Sequence, residues 1–188
     1  MGRRTPLLAA AGLCCAAVIT ARWLVRAPRA REVVPPSDLI DPGTLLPDGR
    51  YFEVALPQRF ALAQRRLQPI SLVLVGFETG PERSSPALDS LVAALKSTVR
   101  QSDTVCRVGT DRLAMILEDA TEYGAVFAVE RARNTLHDLG EEHEIVVGVA
   151  SYPSHALELD DLVRQAEAAL ARARLAPRSR FSVAHSRS

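Results

Sequence analysis

Any chemistry in this chain must come from arginines and carboxylates. Of its 23 basic residues only Lys96 is a lysine, so its cations are almost all guanidiniums, the group suited to forked recognition of phosphate or guanine. A compositional habit of the source genome would give the same bias. Arg100 and Asp103 stand three residues apart, and Asp111 and Arg112 sit together in a Gly-Thr-Asp-Arg turn. Asp160-Asp161 is an acidic pair where a helical pattern begins, which reads as helix capping. There is no phosphate-cradling loop, no G-x-S-x-G and no cluster of His with carboxylates. Four scattered His, and Cys14, Cys15 and Cys106 without metal-ligand spacing, argue against a zinc site and a disulfide framework. No cofactor is expected.

The elements that position these groups belong to one domain of ordinary size, since 188 residues that are 47% apolar can build one core plus something small. A net charge of +1 argues against broad electrostatic binding, so no nucleic-acid partner is expected.

The something small is N-terminal. Leu7 to Ala21 carries no charge, Arg22 interrupts, and Trp23-Leu24-Val25 extends the apolar stretch. At ~1.5 Å per helical residue this nearly spans the ~30 Å hydrocarbon core. Arg22 can snorkel and Trp23 suits the aromatic belt. The rival is a cleaved signal peptide with a small-residue site around Thr20-Ala21. Against it, Arg22, Arg26, Arg29 and Arg31 outnumber Arg3 and Arg4, which keeps the C-terminal side in the cytoplasm. Leu13 before Cys14 is too large for a lipoprotein site. The expectation is a tail and transmembrane anchor over residues 1–25, with the membrane held through 7–25, and a linker over 26–37. A domain over 38–184 and a tail over 185–188 follow. The protein would sit in the inner membrane as a single-pass chain with its C-terminal domain cytoplasmic.

Past the linker, helical and strand patterns alternate. Tyr51 to Arg66 reads as a helix with Phe52, Leu56, Phe60 and Ala63 on one face. Ser71 to Phe77 is a continuous apolar run, the mark of a strand buried on both faces. Leu88 to Val99 is helical, and Thr104–Val108 and Leu113–Leu117 flank a hairpin turn. A helix follows from Thr121 to Leu139, with Val126, Val129, Leu136 and Leu139 apolar and Gly140 as its stop. Ile145 to Ala150 is another buried strand. Leu159 to Ala173 is a final amphipathic helix closed by Pro177, and Arg180 to Val183 reads as an edge strand. The class is α/β, a sheet with helices on its faces.

In order, these segments resemble the diguanylate cyclase (GGDEF) family over residues 38–184. Asp41-Pro42-Gly43-Thr44-Leu45-Leu46-Pro47-Asp48-Gly49-Arg50 is similar to the opening D-x-L-T-G-L-P-N-R-R. Leu72 to Glu78 resembles the strand that delivers a D-x-D metal motif. Arg107-Val108-Gly109-Thr110-Asp111-Arg112-Leu113 resembles the hairpin R-Y-G-G-D-E-F. Val147 to Pro153 resembles S-I-G-V-A-S-Y-P, and Asp161 to Arg174 resembles the helix L-x-x-x-A-D-x-A-L-Y-x-A-K. The resemblance implies a nucleotidyl-cyclase-like, ferredoxin-like sheet preceded here by one transmembrane helix.

It also implies what is missing. Family members join two GTP molecules into cyclic di-GMP, using carboxylates that hold two divalent metals. Gly76 stands at the first metal Asp, Glu78 at the second, and Arg112 at the Glu of the hairpin. Thr110 adds a Cβ where the backbone approaches nucleotide. The segment between Glu78 and Leu88 is too short for the family's phosphate- and guanine-binding stretch. Arg100-Gln101-Ser102-Asp103 is similar to the family's R-x-x-D inhibitory site at the family's distance from the hairpin. There an Arg can grip guanine O6 and N7, with Asp accepting from the guanine N–H groups and Arg107 as a helper. The resemblance therefore implies a non-catalytic domain that binds cyclic di-GMP at Arg100, Asp103 and Arg107 and signals through a protein partner or a homodimer. A degenerate hairpin would lie at Gly109, Thr110, Asp111, Arg112 and Leu113. The alternatives are a nucleotide-independent tethered scaffold or dimerisation module and, third, a residual cyclase.

Overall fold

A run such as Ile70–Gly76 has no polar face to offer water, and it becomes the middle of a sheet. The computed structural model describes residues 37–77, 86–140, 145–176 and 181–185. In it β1 (Ile70–Gly76) is buried at every position. It pairs antiparallel with β3 (Arg112–Glu118) on one side and β4 (Val146–Tyr152) on the other. β2 (Thr104–Arg107) adds to β3, and the short β5 (Phe181–Val183) runs parallel to β4, giving the order β2-β3-β1-β4-β5. The first four strands form a ferredoxin-like antiparallel sheet with one parallel edge strand added.

The pleat sends alternate residues to opposite faces. Val73, Val75, Leu113, Met115, Val147 and Val149 pack under α2 (Pro86–Thr98) and α3 (Glu122–Asp138). Leu72, Leu74, Ala114, Ile116 and Ala150 pack under α1 (Gly49–Arg66) and α4 (Leu159–Leu175). The α/β layering expected from the patterns is the layering found. Cys106 lies on the α1 side, fully buried, and burial pushes its thiol up to about 12, which leaves it inert at neutral pH.

Local chemistry sets the ends. The Asp48 carboxylate caps α1, accepting from the backbone of Arg50 at 2.9 Å and Tyr51 at 3.1 Å. Gly140 follows α3 at φ 72°, as its sequence position suggests. Two expectations change. Leu139 is not on the inward face of α3 but 61% exposed at its end, and the buried face is carried by Ala125, Ala128, Val129, Ala132 and Leu136. Asp160 and Asp161 do not cap α4. Glu158 is its N-cap and makes no side-chain cap bond, while the two aspartates sit in the first turn, where the helix dipole favours them.

Gly148 decides how α4 sits. A Cβ there would lie 2.3 Å from the backbone nitrogen of Leu170 and 2.6 Å from the Ala166 carbonyl oxygen. The helix therefore rests directly on the backbone of β4, which carries its C-terminal turn to the end of β1. Among the described residues no helix is long and apolar enough to cross a membrane. The anchor expected over residues 7–25, most of the linker expected over 26–37, and Glu78 lie outside the described residues.

Candidate functional site

Two corners of the sheet gather the residues singled out by sequence. The first is the turn between β2 and β3, beside the end of β1. Here Gly76 lies directly opposite Arg112 in the ladder, and the Phe77 N–H donates to the Asp111 carbonyl at 3.1 Å. Leu113 points into the core and is fully buried.

Arg107 belongs to this corner too, as an internal strut. Its side chain is 5% exposed and lies 3.3 Å from the Asp41 carboxylate. It donates to the Gly109 and Thr110 carbonyls, each at 3.3 Å. Asp41 also accepts from the Thr44 amide and hydroxyl, each at 2.8 Å. Burial raises the Asp41 pKa, but the Thr44 hydrogen bonds and the nearby Arg107 charge outweigh it and hold the carboxyl below its ordinary value. Arg107 was expected as a helper at the ligand site. The guanidinium is instead spent on the hairpin loop and on the segment before α1, because a buried cation must be paired where it lies.

The rest of this corner is filled by α4. The Arg174 guanidinium lies 3.0 Å from the Asp111 carboxylate and 3.2 Å from where a Cβ on Gly76 would be. Arg112 lies 3.7 Å from Glu167 on the same helix. Both ion pairs are partly exposed, so each stabilises the fold by at most ~1 kcal/mol. Their importance is occupancy. Two guanidiniums and a single hairpin carboxylate surround the position where a divalent ion would need several oxygens, and no group of three potential metal-binding side chains exists among the described residues. The described residues of this corner, which leave out Glu78, do not by themselves fit a divalent metal.

The second corner is the turn from α2 into β2. Its frame is Asp103. One carboxylate oxygen accepts from the Arg100 amide at 2.7 Å and the other from the Glu118 amide on β3 at 3.0 Å. The Asp103 amide donates back to the Arg100 carbonyl at 3.0 Å. Arg59 of α1 braces the turn from below, donating to the Ser102 carbonyl and to Glu118. Arg131 of α3 donates to the Thr98 carbonyl at 2.5 Å, satisfying a group at the end of α2 that the helix leaves unpaired.

The Arg100 side chain is exposed and makes no hydrogen bond or ion pair within the described residues. With Asp103, Thr121 and Arg131 it lines a cleft of about 240 Å³, floored by Gly124 and Ala128 of α3. No motif marks Arg131 in the sequence, although Gly124, Ala128 and Arg131 fall on one helical stripe. In the sequence Arg174 is only the end of a helix motif, and nothing local connects it with Asp111, 63 positions away.

Comparisons with known proteins agree with this architecture. The family model described as "Diguanylate cyclase, GGDEF domain" matches residues 38–180. The GGDEF domain of TpbB (YfiN) from Pseudomonas aeruginosa superposes with a TM-score of 0.69 at 21% identity, covering 78% of this chain and 94% of that one. The GGDEF domain of DgcB from Caulobacter crescentus, solved in complex with c-di-GMP, gives 0.68 at 16% identity, covering 80% and 98%. Diguanylate cyclase SiaD of P. aeruginosa, solved with its activator SiaC, gives 0.64 at 24% identity, covering 75% and 60%. No curated protein matches.

Proposed function

We propose, from the premise that this chain belongs to the diguanylate cyclase GGDEF family, that it is a non-catalytic member that binds cyclic di-GMP at Arg100 and Asp103 and passes occupancy to a protein partner. The observation that carries the reading is the Arg100 guanidinium, without a partner among the described residues, beside Asp103 and Arg131 in one cleft. A guanidinium free of internal partners can grip guanine O6 and N7. Asp103 has spent one lone pair per oxygen, which leaves acceptor capacity for guanine N–H groups. Arg131 adds a second cation for phosphate, in place of Arg107.

The loss of catalysis is supported at the other corner. Making the 3′,5′ bond requires a metal to activate a hydroxyl and neutralise a triphosphate. Gly76 offers no ligand, and Arg174 already neutralises Asp111. The chain incubated with GTP and Mg²⁺ or Mn²⁺ is expected to give no cyclic di-GMP. Gly76→Asp is expected to give none either, because the new carboxylate would meet Arg174 first. Turnover that disappears in Asp111→Ala would overturn this part of the reading.

Tyr123 and Phe127, one turn apart on α3 and 70% and 71% exposed, favour a protein partner or second copy close to the cleft. A tether at residues 7–25, with the domain in the cytoplasm, completes the proposal. An alkaline phosphatase fused to the C-terminus should be inactive, and recovery of a soluble chain beginning near Arg22 would remove the tether.

A further inference from the structure

Leu45 is held in a backbone conformation that costs a leucine free energy. Its φ is 54°, in the left-handed region, and its side chain is 71% exposed. Thr44-Leu45-Leu46 resembles the Thr-Gly-Leu of the family's opening segment, so leucine stands where glycine would take this conformation with little strain. The turn that presents it is firmly built. The Leu45 amide donates to the Asp41 carbonyl at 2.8 Å, and the Asp41 amide donates to the Leu46 carbonyl at 2.8 Å. Leu67 is as strained and more exposed, but it only caps the end of α1; Leu45 differs in what lies beside it.

That side chain lines an open cavity of about 450 Å³ between the segment before α1, α1 itself and the end of α2. Ile40 and Val99 supply further apolar wall, and Arg59, Lys96 and Arg100 supply cations. Arg59 is engaged by Glu118 and the Ser102 carbonyl. The side chains of Lys96 and Arg100 have no partner among the described residues. Asp103 is the acidic group in the lining, and both its oxygens already accept from backbone amides. The volume lies in the range of small-molecule sites, roughly 300–1,000 Å³.

We propose that this cavity binds a small anionic amphiphile. Its apolar body lies against Ile40, Leu45 and Val99, and its acidic head group meets Lys96 and Arg100. Charge alone would not use the strained leucine, and an apolar molecule alone would make no use of the two exposed cations at the cavity's rim. Because Arg100 also borders the cleft beside Arg131, a ligand in either site draws on the same guanidinium. The two occupancies therefore oppose each other.

The test is calorimetric titration of the 188-residue chain with octyl phosphate below its micellar concentration. Inorganic phosphate carries the charge alone and octyl glucoside the tail alone. Octyl phosphate is expected to bind at least about tenfold more tightly than either, since each half of the site adds its own contribution. Leu45→Gly is expected to weaken binding about tenfold, the worth of one buried leucine side chain, while melting at the same temperature or higher. Lys96→Gln should weaken octyl phosphate and leave octyl glucoside unchanged. Equal affinity for all three probes, or wild-type affinity in the folded Leu45→Gly variant, overturns the proposal. Neither arm depends on whether cyclic di-GMP binds.

Discussion

The two corners of the sheet carry similar residues in opposite states. At the hairpin corner the described charges pair internally: Arg107 on Asp41, Arg112 on Glu167, Arg174 on Asp111. At the α2–β2 corner each Asp103 oxygen accepts from one backbone amide and keeps a second lone pair. The Arg100 side chain there has no partner among the described residues. The difference comes from what packs above each corner. A whole helix, α4, lies on the hairpin corner because Gly148 lets it approach the backbone, whereas the α2–β2 turn lies beside an open cleft. Where α4 lies over a corner the charges pair with that helix; where a corner is framed but uncovered, one guanidinium stays without a partner among the described residues.

The largest test of this contrast is to lift the helix. Gly148→Ala puts a Cβ 2.3 Å from a backbone nitrogen, a clash no rotamer relieves. We expect a loss of about 3 kcal/mol or more in unfolding free energy, read by denaturant melts. Asp111 and Arg174 would separate as α4 shifts. Wild-type stability in this variant would mean that α4 is not seated as described, and the closed corner would lose its explanation.

Next in size is Asp103→Ala. The variant leaves the Arg100 and Glu118 amides without their acceptor, and we expect destabilisation of about 2 kcal/mol. This separates frame from ligand contact. Loss of cyclic di-GMP binding in Asp103→Ala must be read beside its melting curve, and in Arg100→Ala it need not be.

A smaller effect comes from acid. His155 is 2% exposed, and its Nδ1 accepts the Ser151 amide at 2.8 Å. Its Nε2 lies 2.9 Å from Glu122 in the first turn of α3, the helix that carries Arg131. Burial lowers the His155 pKa below its ordinary 6.5, and Glu122 opposes this without reversing it. A proton on Nδ1 would also break the Ser151 bond. The folded chain thus refuses a proton that the unfolded chain accepts. Stability should be full above pH 6.5 and fall as pH drops towards the depressed folded value, by at most about 1.4 kcal/mol per pH unit. Melts of wild type and His155→Gln between pH 7.5 and 5 should show the slope flattened in the variant. Equal slopes would remove His155 as the source.

Much of this architecture was legible in the residues. The runs at Ile70 and Val146 lack any polar face and could only be central strands, and the Gly109 turn between two short apolar runs could only be a hairpin. The R-x-x-D spacing singles out Arg100 and Asp103, which the fold places in the turn from α2 into β2. What sequence could not give was partnership across the chain. Arg107 looks like any strand arginine until Asp41, 66 positions earlier, is folded beside it. Leu139 continues the helical period yet falls at the helix end, where no neighbour covers it. Arg174 becomes informative only once Gly148 has set the height of its helix. In each case the missing fact is a tertiary distance, which periodicity does not encode.

The contrast between corners is tested most directly by titrating cyclic di-GMP into the 188-residue chain and its Arg100→Ala variant by calorimetry. A forked Arg–guanine contact is worth about 1–3 kcal/mol, so we expect binding in wild type and a loss of roughly tenfold or more in Arg100→Ala, with unchanged melting. No heat from either protein at high micromolar ligand, with both demonstrably folded, would contradict it.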